Sequence, residues 1–430
     1  MTGSTTSRLV RVGAFFGFVA AVCSAVSLAA GVSATSTGHM DKLLSLNCKF
    51  VGAGTCASGS CHGGGNKETP PKKIGSESSV WEAKDAHAKA AVNLTKPNLK
   101  EHPWMSTIAA KLSITGDLSK SDRCAACHSG AAVPANLQGD KFAVSEGVSC
   151  YQCHGPAEKW LVPHATKGWT EEQRKKLDHD GLLKTHGLFD TKPVGPRADM
   201  CASCHLAIDE KLVQAGHPQP IFEQLTYQSS EPEHWIEHNA GFGRLNLWAA
   251  GQIVGLRESV AQSASRTDAA LVAASKQQAV AHLMMVQTLV ETNVVPGDAA
   301  KLKAAVETPD AKAIAELTEP MLAAVNKLDA KGDKAQVLAV LKKLAALDPK
   351  AVNAAGRRGV EQTFFGLERL LLAYRDGANI ARDAFTPVRT SIKPLRDLKL
   401  YETRFDTKVP DAKAVETSLP AAAKAIDGLK

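Results

Sequence analysis

Glu146-Gly147-Val148-Ser149-Cys150-Tyr151-Gln152-Cys153-His154-Gly155-Pro156 holds two cysteines two residues apart, with a histidine directly after the second. The same pentapeptide pattern recurs at Cys124/Cys127/His128 and at Cys201/Cys204/His205. It is the attachment signal for c-type haem. Each thiol adds to one vinyl group of the haem, and two intervening residues in a short helical turn present both sulfurs along one haem edge. The adjacent histidine then binds the iron from the proximal side. A fourth segment, Cys56-Ala57-Ser58-Gly59-Ser60-Cys61-His62, has four residues between its cysteines, small ones suited to a looser loop. The expectation is four covalently attached haems c. They would be held by Cys56, Cys61, Cys124, Cys127, Cys150, Cys153, Cys201 and Cys204, with His62, His128, His154 and His205 as proximal iron ligands.

Other uses of cysteine fit less well. The chain has 10 cysteines, and a disulfide framework or zinc knuckles would each use such a number. Neither explains a histidine after the second cysteine every time. Cys48 is left over and reads as a structural thiol. A zincin is excluded at His234 and His238, because no Glu follows the first histidine. Gly52-x-Gly54 leads into the first cysteine motif rather than into a helix, so it is no nucleotide loop.

The composition changes once, near residue 240. From about Thr35 to that point lie nine cysteines and 13 of the 14 histidines, and after it no cysteine and only His282. The later part is rich in Ala, Leu, Lys and Val. Three apolar stripes there recur at helical spacing: Leu245, Trp248, Ile253, Leu256 and Val260; Val337, Val340, Leu341, Leu344 and Leu347; and Val360, Phe364, Leu367, Leu370, Leu371 and Tyr374. They read as core faces of a bundle. The tail after Asp376, broken by Pro387, Pro394 and Pro410, reads as a loose wrap. The earlier part has little periodicity, and its core is expected to come from large prosthetic groups, since aromatics make up only 5% of the chain. The fold class is therefore all-α: a loop-rich tetrahaem cytochrome domain (35–240) followed by a C-terminal helical domain (241–430).

Residues 1–34 read as an export signal. Arg8 and Arg11 precede the uncharged run Val12–Ala30, and Val32-Ser33-Ala34 fits a small-x-small cleavage site. Left uncleaved, the run is long enough to anchor the chain to a membrane. Cys23 within it reads as a passenger. The expected location is periplasmic or otherwise exported. The formal charge of +7 is scattered, and four haems would bring about eight propionate charges to offset it, so nucleic acid is not an expected partner.

Haem irons often take a second axial ligand. The remaining histidines before residue 240 are His39, His87, His102, His164, His179, His186, His217, His234 and His238, and their number suggests that several are distal ligands. Histidine on both sides closes the iron and makes an electron carrier, whereas a missing distal ligand leaves room for a small molecule. Met105 is the one methionine to watch as a ligand.

At these residues the chain resembles the cytochrome c-554 type of tetrahaem cytochrome, which in ammonia oxidisers accepts electrons from hydroxylamine oxidoreductase. The resemblance rests on Trp81 with Asp85-Ala86-His87-Ala88-Lys89-Ala90, on Glu146 to Pro156 with His164 following, and on Cys201 to Leu206. It covers about residues 50–240. It implies His164 as distal ligand opposite His62, His87 opposite His154, and a five-coordinate second haem on His128. For the fourth haem, on His205, it leaves His217, His234 and His238 open. His217 is preferred because Gly216-His217-Pro218 followed by Phe222-Glu223 is similar to a motif in related multihaem chains. The longer spacer at Cys56/Cys61 and the helical residues after 240 depart from that family.

The function these features imply is electron transfer between redox partner proteins. Two alternatives stay open: an oxidoreductase acting on a small nitrogen or sulfur compound, such as nitric oxide or hydroxylamine, at an open haem on His128; and a haem subunit of a larger respiratory complex. In the last case the C-terminal helices would serve as the homo- or hetero-oligomer interface.

Overall fold

The helices after residue 240 start where aspartate sits. Asp268, Asp298, Asp310, Asp333, Asp348 and Asp411 each accept a hydrogen bond from a backbone N–H of the following first turn, satisfying donors that have no partner within the helix. Pro349 follows Asp348 at a position where a missing N–H costs nothing.

The structure, a computed structural model, describes Met1 and residues 38–65, 75–403 and 408–429. The expected export signal, with Cys23, lies outside the described residues. The described residues are all-α, with an isolated bridge between Phe50 and Gln138 as their β pairing. None of their helices is long and apolar enough to cross a membrane. From Ala34 onward the chain forms one compact unit.

The expected stripes are core faces. Leu245, Trp248, Ile253, Leu256 and Val260 are buried on the helix Arg244–Ser265. Val337, Val340, Leu341 and Leu344 are buried on Lys334–Ala345, with Leu347 packed at the margin. Val360, Phe364, Leu367, Leu370, Leu371 and Tyr374 are buried on Gly356–Gly377. A short connection, Arg266 to Asp268, folds Ala269–Glu291 back along Arg244–Ser265.

The tail is not loose. Pro387 and Pro394 stand in the first turns of the short helices Thr386–Ser391 and Lys393–Arg396, where proline is tolerated. The last helix, Ala412–Asp427, buries Val415, Leu419, Ala422 and Ile426 in the main core.

That core crosses the compositional change at residue 240. Val194, Ala198, Ala202, Leu206, Ile221, Phe222 and Leu225 belong to the same cluster as Trp248, Val286, Leu341 and Phe365. A smaller cluster of Met40, Leu43, Phe50, Val133, Leu137, Tyr151, Leu183 and Phe189 underlies the cysteine-rich segment. His282, the one late histidine, is fully buried between Gln278 (2.9 Å) and Gln252 (2.8 Å). Burial pushes its pKa down to about 3, so it is a neutral core residue. Gly255 makes room for its ring, since a Cβ there would fall 2.4 Å from the imidazole.

Candidate functional site

Three of the cysteine motifs end a helix. Asp122–His128, Cys150–His154 and Val194–His205 each close on the motif histidine. Positions three and four apart share a helix face, so both thiols and the imidazole of each motif project on one side. Ser149 and Gln152 form a reciprocal cap on the middle helix. Gly155, in the left-handed region at φ 79°, turns the chain away at once, and a Cβ there would collide with the Gly187 carbonyl. In the first motif the helix Ala53–Cys56 ends at its first cysteine. The extra spacer forms a turn, and His62 N–H returns to the Cys56 carbonyl at 3.1 Å.

The segments that carry the resemblance touch one another. Trp81 donates its indole N–H to the Val148 carbonyl at 3.0 Å, and Val148 N–H donates to the His87 carbonyl at 2.8 Å. Gly147 permits this approach, because a Cβ there would lie 2.2 Å from His87 O. Glu146 reaches the first motif, accepting from Ala53 N–H at 3.1 Å, and also accepts from Ser149 Oγ at 2.7 Å.

The four motifs thus converge. The Cys56 thiol is within hydrogen-bonding reach of Cys150, and Cys127 is within reach of Cys204. Cys153 lies close enough to Cys201 and Cys204 for their charges to act on it. The described cysteines form no disulfide. Cys48 stands apart, buried, with its Sγ directed at the Leu46 carbonyl at 3.4 Å.

Histidines face the motif histidines. His164 stacks opposite His62 with ring centres 6.1 Å apart and planes 11° apart. His87 stands 6.0 Å from His205, and His217 stands 6.5 Å from His128. The histidine that acts most strongly on His154 is His234. His164 opposite His62 is the expected neighbour; the others differ from the expected ones, which set His87 against His154, left His128 without a second histidine and preferred His217 for His205. The physical reason is that order along the chain does not fix order in space. His87 is pinned through Val148, while His217 sits on a turn beside the second motif. Among the remaining candidates, His238 and His102 are exposed. His39 donates to the Gln152 carbonyl (2.7 Å), His179 reaches Asp190 O (3.0 Å), and His186 packs on Trp169. Met105 is half-buried in the helix Pro103–Lys111.

The outer nitrogens of the facing histidines are held. His62 Nδ1 is 2.8 Å from Glu77 Oε2, and this bond raises the His62 pKa. His164 Nδ1 is held by the Leu161 and Trp160 carbonyls. His87 Nδ1 lies 3.2 Å from Asp85 and 3.6 Å from Glu231. Burial would lower the His87 pKa, but these two carboxylates outweigh it and carry it up to about 10. Asp85, His87 and Glu231 could be taken for a metal cluster; the carboxylates instead accept the His87 Nδ1 proton. Burial pushes His128 and His154 down to about 4 and His205 to about 3, which keeps these imidazoles neutral, the form that binds metal. The Ala90 backbone lies near the His128 ring, but no acceptor reaches its buried Nδ1 within hydrogen-bonding distance.

Residues 55–155 match the family described as cytochrome c554 and c-prime. Over that segment the chain is similar to c554-type cytochromes. No curated protein and no solved structure matches it. The similarity points to haem, and the residues present fit that cofactor. In three motifs the paired thiols lie on one helix face with neutral imidazoles beside them, and facing histidines are turned by their outer nitrogens. Glu77 and Glu231 carried no sequence signal of their own. Asp85 did, two residues before His87.

Beside the third motif, Asp190 is buried and bound to Arg174 by two hydrogen bonds of 2.9 and 2.8 Å. Burial alone would raise its pKa, but Arg174 outweighs it and holds the carboxyl below its usual range. A pKa lowered by folding gives stability that is present above about pH 4 and lost as the pH falls below that. Arg174→Ala is expected to cost about 3 kcal/mol at pH 7, because it leaves a buried charge uncompensated, and to cost much less near pH 3. Denaturant midpoints across that range check this; a penalty independent of pH would rule out the ion pair as its cause.

Proposed function

We propose that this cytochrome is exported, binds four haems c and passes electrons between redox partner proteins. Cys56/Cys61, Cys124/Cys127, Cys150/Cys153 and Cys201/Cys204 would hold the haems by thioether bonds, with His62, His128, His154 and His205 as proximal ligands. The observation that carries the reading is the convergence of the four motifs, with the first thiol pair against the third and the second against the fourth. Four such groups gathered in one cluster make a path rather than four separate sites.

Bound haem supplies a one-electron Fe(III)/Fe(II) couple. The chain does the rest. Burial keeps His128, His154 and His205 neutral. Glu77 holds the His62 Nδ1 proton, and Asp85 with Glu231 holds that of His87. An anionic partner at the outer nitrogen makes an imidazole a stronger donor and favours the oxidised metal.

A pyridine haemochrome assay should give four haems per chain, and Cys56→Ser with Cys61→Ser should give three. Three haems in the unaltered protein would remove the site at Cys56/Cys61. Potentiometric titration should then show reversible one-electron steps without any added substrate.

A further inference from the structure

We infer that His217 is the second axial ligand of the haem iron held on His128, so that this haem is closed. The inference rests on the haem reading of Cys124, Cys127 and His128. It separates this chain from the five-coordinate arrangement expected for that position, and it deprives small-molecule chemistry of its open iron.

Spacing carries the argument. A metal–imidazole bond of about 2 Å, plus about 1 Å from nitrogen to ring centre, puts two axial imidazoles roughly 6 Å apart across one iron. His128 and His217 stand at 6.5 Å, beside 6.1 Å for His62 and His164 and 6.0 Å for His205 and His87. Other ring contacts run from 4.5 Å for His179 on Phe189 to 6.4 Å for Phe222 on Tyr227, so what marks these pairs is that two imidazoles, one of them a motif histidine, face each other at the span an iron needs. The three pairs keep that common gap whatever the angle between their planes.

The loop is built to aim His217. Asp209 caps the helix Glu210–Ala215, and Gly216 ends it in the left-handed region at φ 112°. His217 N–H then bonds back to the Leu212 carbonyl at 2.9 Å. The His217 Nδ1–H donates to the Pro218 carbonyl at 2.8 Å, which leaves Nε2 as the nitrogen with a free lone pair. Beyond it, Arg358 from the Gly356–Gly377 helix grips the Gln219 carbonyl at 2.9 Å. A half-buried imidazole with its backbone fixed on both sides and its tautomer set by a carbonyl is a preorganised ligand. His238 is exposed, and His234 sits with Asp85 near His154, so neither competes for this place.

The test is low-temperature EPR of the oxidised holoprotein, with and without nitric oxide, on the wild type and on His217→Gly. The expected wild-type spectrum is low-spin throughout and does not respond to nitric oxide. His217→Gly should release one high-spin haem per chain that takes up nitric oxide and returns to low spin when imidazole is added. A wild-type high-spin signal that persists unchanged in His217→Gly would overturn the assignment. So would a variant spectrum identical to a low-spin wild type. A Cys124→Ser/Cys127→Ser variant separates the two layers of the argument: it should lose one haem by pyridine haemochrome together with the signal opened by His217→Gly. Retention of the wild-type count would remove the haem reading at that motif itself.

Discussion

Replacing Cys150 and Cys153 together with serine is expected to lower the haem count to three or fewer and to leave little soluble protein. This motif is the one most deeply tied to the others. Cys150 lies against Cys56, and Cys153 is within electrostatic range of Cys201 and Cys204. Between the two cysteines, Tyr151 and Gln152 are buried, and the Gln152 carbonyl holds His39. A planar cofactor burying roughly 400 Å² of apolar surface contributes about 10 kcal/mol, comparable with the whole net stability of a domain. Losing it from the centre of the cluster would take neighbouring sites with it. Cys48→Ser is the matched control. That side chain is 2% exposed with its Sγ directed at the Leu46 carbonyl, and a serine hydroxyl can keep that bond, so the haem count should not change. Pyridine haemochrome against protein concentration reads both variants. A double variant that keeps the full count would show that the motif does not attach haem.

The cysteine–histidine motifs are legible in the sequence because they are local. Two thiols and an imidazole within five residues need only a helical turn, and the helices that end at His128, His154 and His205 supply it. The aspartate caps and apolar stripes of the later helices are legible for the same reason. Facing histidines are not local. His62 and His164, His87 and His205, and His128 and His217 are brought together by packing of distant segments, so the residues themselves give a list of candidates but not their pairing, and the resemblance anticipates only the first pair. His87 shows the difficulty. Its position after the first motif says nothing of His205, whose ring it meets at 6.0 Å because Trp81, Gly147 and Val148 fix its backbone.

The change of composition at residue 240 is a second instance. Cysteine and histidine stop there, but apolar packing does not. Periodicity identifies which helix face is apolar and cannot say which faces meet. The helix Val194–His205 makes the point in twelve residues: its C-terminal end carries Cys201, Cys204 and His205, while Val194, Ala198 and Ala202 sit in the core shared with Arg244–Ser265. The prolines of the tail mislead similarly, because in the first turn of a short helix they organise the chain rather than loosen it.

A chain ending at residue 240 should therefore fail to give a soluble haem-loaded protein. It would expose Val194, Leu206, Ile221, Phe222 and Leu225, now buried against later helices. At about 2 kcal/mol for each large apolar side chain, that loss is on the order of the net stability of a domain. The truncation would also strip partners from the backbone that carries the ligands. Gln262 binds the Leu206 carbonyl at 2.9 Å, Arg266 the Ile208 carbonyl at 3.1 Å, and Gln362 the Phe222 carbonyl at 2.9 Å. Arg358 does the same for Gln219, next to the His217 turn. A full-length Trp248→Ala chain gives the graded version, since a fully buried tryptophan cut to alanine costs about 3–5 kcal/mol while every haem motif stays in place. Expression with a cytochrome c maturation system, haem staining and the oxidised spectrum read the result. A truncated chain with the full-length haem count and spectrum would make the later helices a dispensable partner domain. Its failure, alongside a weakened but haem-loaded Trp248→Ala protein, would make them the scaffold on which the ligands of the electron path are set.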